Sequence, residues 1–282
     1  MRTYAAVIGA ALTLVVPAVD AQQVTDLKQV LYRMANNLGM LRTVRELDSV
    51  MTVEYWATGT VREVGPKNVG PPVEVKSYYA QIAYDFPGMR VDITRPSGTP
   101  AREIQVVSGA FAWNEDQPGA GLVPGQGNAV PVVDAVTDRL LQLWTTPFGV
   151  VKAATAAGEK TKVTVEGGAV VVTFPLINAA PGETVNMVVG PLNGTPVKVT
   201  LNADYRPERV EVRYGGRVFT TTYSGYGDLN EPDLKADIFF PARIVRTVDG
   251  QPVLDLTIQK TNTYNPYVLV PGPGNVQKAA AR

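Results

Sequence analysis

The chain has 282 residues, 45% of them hydrophobic, which is enough for a sizeable core. Lys+Arg 26 balances Asp+Glu 26, so no bulk field draws it to nucleic acid or to an anionic membrane. Cys 0 and His 0 exclude disulfides, a lipid-modified cysteine, the usual zinc and copper ligand sets, and Ser-His-Asp or Cys-His catalysis.

Arg2 precedes an apolar run from Ala5 to Val16. Pro17 breaks the run, and Val19-Asp20-Ala21 supplies small residues where a signal peptidase reads. This layout predicts a secretory signal peptide over residues 1–21, cleaved before Gln22. The run is shorter than the ~20 residues a membrane span needs. The expectation is therefore a periplasmic or secreted protein of one domain, residues 22–282, with no transmembrane segment in the mature chain.

Residues 24–47 carry Leu27, Val30, Leu31, Met34, Leu38 and Leu41 at helical spacing, with Thr25 or Asp26 as the cap. The period then becomes two. Residues 50–63, 73–86, 89–95 and 103–113 read as strands, separated by Gly/Pro-rich turns. The loops 64–73 and 114–131 are both dense in Gly and Pro, and the second is long enough to carry function. Val133, Val136, Leu140, Leu141 and Trp144 share a helical face. Thr146-Pro147 opens another helix and Gly158 ends it. From residue 161 on, hairpins follow, turning at Gly167-Gly168, Gly215-Gly216 and Asp249-Gly250. The sum is α+β and predominantly antiparallel β, with about ten or eleven strands and apolar helices that must bury against the sheet.

Three stretches carry a family resemblance. Pro87-Gly88-Met89-Arg90-Val91-Asp92-Ile93 is followed by Val106-Val107-Ser108-Gly109-Ala110-Phe111-Ala112-Trp113, and Pro266-Tyr267-Val268-Leu269-Val270-Pro271 closes the chain. With the helix–sheet–helix order, these resemble the LolA/LolB-like superfamily of periplasmic lipoprotein carriers. The resemblance implies a curved half-barrel covered on its concave face by helices. It implies an apolar cavity for a lipid, a lipoprotein acyl chain or another hydrophobic ligand, and release by movement of a helical lid. Arg90 would then be a basic residue on a cavity strand. Leu141 through Ala154 and Thr261 through Pro266 also resemble an exported module found beside metallo-β-lactamase-like domains. With no histidine present, that hydrolase chemistry does not transfer.

Trp56, Tyr79, Phe86, Trp113, Trp144, Phe174, Tyr223 and Phe239 either line such a pocket or fill the core. The leading expectation is a non-catalytic binding protein without a cofactor. The alternative is an envelope module gripping a protein partner through the sheet rim and the 64–73 and 114–131 loops. Glu54, Asp85 and Asp92 are the candidates for acid–base work if the chain is an enzyme. Asp228, Asn230, Glu231, Asp233 and Asp237 offer oxygens to calcium or are a solvated loop. Asn193-Gly194-Thr195 fits glycosylation or a turn, and the turn is preferred.

Overall fold

The computed structural model describes residues 25–42, 47–62, 70–96, 101–178, 187–230 and 237–280. The signal-peptide expectation for residues 1–21 lies outside them, as do Glu231 and Asp233. No helix among the described residues is long and apolar enough to cross a membrane.

Helix α1 (Leu27–Asn37) starts where the Asp26 carboxylate accepts from the Gln29 N–H at 2.9 Å. It buries Val30, Met34 and Ala35. It ends well short of residue 47, because Gly39 takes φ +74° and turns the chain into β1 (Leu41–Arg42), which pairs with β2 (Leu47–Asp48). Leu41 therefore belongs to a strand and not to the helical stripe.

One open sheet of 13 strands makes up the rest. Its first half is a meander: β3 (Thr52–Val61), β4 (Val73–Ala83), β5 (Gly88–Thr94), β6 (Arg102–Ser108), β7 (Phe111–Glu115) and β8 (Ala129–Pro131). Two helices follow, α2 (Val136–Trp144) and α3 (Pro147–Ala157). The second half is β9 (Lys162–Glu166), β10 (Ala169–Pro175), β11 (Pro196–Leu201), β12 (Pro207–Tyr214), β13 (Arg217–Asp228), β14 (Phe239–Val248) and β15 (Gln251–Asn262). Helix α4 (Gly274–Ala280) ends the described chain.

The strand order explains the helices' position. The chain starts in the middle at β3 and runs outward to β8 at one edge. Helices α2 and α3 connect that edge to β9 at the other, and the second meander returns until β15 pairs with β3. Register slips interrupt the β3–β4 pairing at Ala57/Gly59 and the β15–β3 pairing at Ile258/Lys260. Bulges of this kind bend and twist a sheet locally, and here they lie at the centre of the half-barrel. Gly59 is required there: it has φ +148°, and a Cβ would sit 2.0 Å from the Asp255 carbonyl oxygen.

Two expectations are corrected. The stretch 103–113 is a hairpin and not one strand, because Gly109 adopts φ +53° and reverses the chain. The 114–131 segment is not wholly an exposed loop. Its ends are strand, Ala120 is fully buried, and the Glu115 carboxylate accepts from the Gly119 N–H at 2.9 Å. With β7 separate from β6 and β8 added at the edge, the sheet has 13 strands where about ten or eleven are expected. The three double-residue turns are as expected, with positive φ at Gly167, Gly168, Gly215, Gly216, Asp249 and Gly250. Gly194 likewise makes a turn at φ +84°.

The main core lies between one face of the sheet and helices α1, α2 and α3. At its centre Tyr55 stacks on Tyr78 with centroids 6.0 Å apart, and Phe240 packs on both Tyr55 and Phe148. Thr146 caps α3 and shares a 2.8 Å hydrogen bond with the Tyr84 hydroxyl. A second, smaller cluster occupies the opposite face: Ile104, Val106, Trp113 and Ala129 under Val270 and Val276 of the C-terminal segment.

Candidate ligand-binding cavity

A cavity of about 1010 Å³ opens between the helix-bearing face of the sheet and the start of α2. Its floor is apolar: Tyr78 and Ile93 from the first meander, Phe219, Val253 and Leu254 from the second. Alternation along β4 and β5 places Tyr78 and Ile93 opposite each other in register and facing the helices. The same cavity is lined by five arginines, Arg62, Arg95, Arg139, Arg217 and Arg246, and three carboxylates, Glu103, Asp134 and Asp138, with Arg246 directly beside Leu254 in the β14–β15 ladder.

Helix α2 is pinned across the sheet by three polar side chains, Asp138, Arg139 and Gln142. Asp138 takes the Arg246 guanidinium of β14 at 2.9 Å, with a second bond at 3.2 Å. Gln142 donates to the Tyr78 hydroxyl at 2.5 Å. Arg139, only 5% exposed, donates to the Val106 and Trp113 carbonyls at 2.9 and 2.6 Å and to Asn114 Oδ1 at 2.5 Å. These acceptors are neutral. Burial pushes the Arg139 guanidinium down to about 10, against the pull of Glu103 and Asp138. Burial pushes Tyr78 up to about 12, and the bond from Gln142 offsets part of that. Two more of the arginines are paired: Arg95 to Glu103 at 2.8 Å and Arg217 to Asp249 at 2.9 Å. Arg246 also lies 5.6 Å above the Phe219 ring.

No family model and no curated protein matches the chain. Among solved structures, the crystal structure of LprF from Mycobacterium bovis is similar at 13% identity over 88% of this chain and 96% of that chain. The TM-score is 0.30, too low for the likeness to carry an inference.

The sequence candidates fall on different faces, and none of the nine lines the cavity. Trp144, Phe174 and Tyr223 are buried in the main core. Trp144 donates to the Val188 carbonyl, and the Tyr223 hydroxyl to the Thr145 carbonyl. Trp56 and Tyr79 are cross-strand partners on the opposite face, stacked at 4.6 Å, with the Lys260 ammonium 4.3 Å from the Trp56 ring centre. Trp113 and Arg90 share that opposite face: both reach Glu115, Trp113 Nε1 at 2.9 Å and Arg90 Nε at 3.0 Å. Phe86 is 70% exposed in the β4–β5 turn. Phe239 is half-buried with the Arg206 guanidinium 4.3 Å away.

The candidate carboxylates do not converge either. Glu54 is buried on the opposite face, and both its oxygens are occupied. Oε1 accepts from the Tyr79 hydroxyl and from Gln81 at 3.0 Å, Oε2 from Asn262 at 3.1 Å and Asn265 at 3.0 Å. Burial and the Glu54 charge hold the Tyr79 hydroxyl above its ordinary range. Asp92 is bound by Arg102 through both oxygens, at 2.9 and 2.5 Å. Asp85 is exposed beyond the end of β4. Asp228 accepts from the Asn230 backbone and side chain, and no group of three potential metal ligands occurs among the described residues.

The missed residues carried a signal. Arg139 is three positions after Val136 and so lies on the apolar stripe of its helix, an unusual place for a cation. Tyr78 shares strand parity with Ala80 and Ile82, whereas Tyr79 shares it with Gln81.

Proposed function

We propose that this is an exported, non-catalytic binding protein that holds a lipid or another hydrophobic small molecule between its curved sheet and α2. The observation that carries the reading is the cavity of about 1010 Å³ with an apolar floor. Ligand pockets run to ~300–1,000 Å³, so this one is roomy enough for a long chain. Each ligand methylene transferred to the floor contributes ~0.8 kcal/mol, and a long acyl chain would supply affinity without specific polar contacts. The motif resemblance to LolA/LolB-like carriers points the same way. The want of histidine and cysteine, and the saturated oxygens of Glu54, support binding over turnover.

The test is native mass spectrometry of protein purified from culture without detergent, followed by solvent extraction and by titration with a fluorescent fatty acid. A co-purifying lipid mass, or saturable fluorescent binding, is the expected result. A clean unliganded mass together with no fatty-acid binding would sink the proposal.

A further inference from the structure

The cavity's charge distribution deepens this reading and depends on it. Among the described residues, five lining guanidiniums face three lining carboxylates and Asp249, which holds Arg217, so one positive charge is left in excess beside the apolar lining. Two of the five, Arg139 and Arg246, are each only 5% exposed. The acceptors of Arg139 are carbonyls and an amide, so its hydrogen bonds bring no compensating negative charge. Arg246 has one compensating carboxylate, Asp138. Desolvated charge of this kind acts far more strongly on an entering ion than the same charge in water. The guanidinium fork also matches carboxylate and phosphate oxygens geometrically.

We propose that the cavity selects amphiphiles with an anionic head, a carboxylate or a phosphate ester, laid so that the chain covers Tyr78, Ile93, Phe219 and Leu254 while the head meets the arginine-rich wall. A neutral amphiphile gains the floor alone. A cationic one gains the floor and meets repulsion.

The experiment is calorimetric titration of the full mature chain with four ligands of one chain length: laurate, dodecyl phosphate, dodecanol and dodecyltrimethylammonium. Inorganic phosphate is added as a competitor. Laurate and dodecyl phosphate should bind at least about tenfold tighter than dodecanol, a difference of ~1.4 kcal/mol. The cationic ligand should bind more weakly than dodecanol. The anionic preference should shrink as salt is raised, with dodecanol unaffected. Arg139→Gln should erase the preference. Because Arg139 also bridges β6 and β7, Arg62→Gln is the second variant and should reduce the preference. Equal affinity for anion and alcohol, with no salt dependence, would overturn the proposal and leave the hydrophobic-ligand reading standing. Inorganic phosphate competing as well as dodecyl phosphate would overturn it in favour of a simple anion site. Binding of none of the four would overturn both readings.

Discussion

Glu54→Gln isolates how much one buried carboxylate contributes. Glu54 is 3% exposed and accepts four hydrogen bonds, two on each oxygen, from Tyr79, Gln81, Asn262 and Asn265. Glutamine has nearly the same shape but keeps one oxygen. Turned toward Asn262 and Asn265, its NH₂ faces two amide donors; turned the other way it faces the Gln81 amide, while the Tyr79 hydroxyl can rotate and accept. Hydrogen bonds to a charged group contribute ~1.5–3 kcal/mol each, so the variant loses one such bond and weakens the three that remain. We therefore expect a loss of about 3 kcal/mol. For a domain of this size class that is a Tm lower by roughly 6–12 °C. Urea unfolding at constant m reads the free energy directly. Hydrogen exchange supplies a local readout. Asn262 and Asn265 tie the chain after β15 to the sheet, so amides from Tyr264 to Val268 should exchange faster in the variant. A loss below ~1 kcal/mol, or unchanged exchange in that segment, would refute the idea that Glu54 is the organising acceptor.

Four further outcomes are expected. Raising pH past 10 should destabilise the fold. Tyr55, Tyr78, Tyr84, Tyr223 and Tyr226 are all held above their ordinary value by burial, Tyr78 at about 12. Unfolded tyrosines ionise near 10, so stability is complete below that pH and falls above it, by about 1.4 kcal/mol per pH unit for each such group. Arg139, depressed to about 10, opposes this as a single group. A phenolate absorbance titration should show a delayed fraction that ionises together with unfolding, and five ordinary titrations would contradict it. Val270→Ala removes a buried contact of the opposite-face cluster and should cost about 1–2 kcal/mol while exposing Trp113 to a fluorescence quencher; unchanged quenching would count against that packing. Gly59→Ala should cost more than ~3 kcal/mol or abolish folding, whereas Gly167→Ala, with positive φ but open space, should cost about 1–2 kcal/mol; equal costs in urea unfolding would deny the close approach at Asp255. Lys198→Ala breaks an exposed pair with Glu166 and should change stability by less than ~0.5 kcal/mol in the same assay.

The fold was legible where side-chain parity and turn residues agree. The hairpins at Gly167-Gly168, Gly215-Gly216 and Asp249-Gly250 announce themselves, since each needs positive φ at two positions. Helix α3 has both its cap and its proline in plain view. The end of α1 was illegible because Leu38 and Leu41 continue the helical spacing past Gly39, and only the tertiary approach of the Asp237 carbonyl makes that glycine decisive. The boundary between β6 and β7 is faint in the sequence because Ser108-Gly109-Ala110 is a weak turn signal. The cavity was harder still. Picking aromatics by size gathers residues from both faces of a sheet. Tyr78 and Tyr79 differ by one position and point to opposite faces. The five arginines come from α2, β13, β14 and the segments after β3 and β5, and meet only in the folded sheet, which no local pattern encodes.

The pairing of β3 with β15 has a temporal meaning. Glu54 and Asn262 are ladder partners 208 residues apart, and the strands between them are otherwise joined to near neighbours in sequence. At synthesis rates of ~5–20 residues per second, β3 waits roughly 10–40 s for its partner. During that interval a ten-residue strand bearing Val53, Tyr55 and Ala57 offers an unsatisfied ladder to any passing chain. The middle of the finished sheet is thus its last seam to close. A nascent chain cut off before β15 would be expected to aggregate through the strand that ends up least accessible in the completed protein.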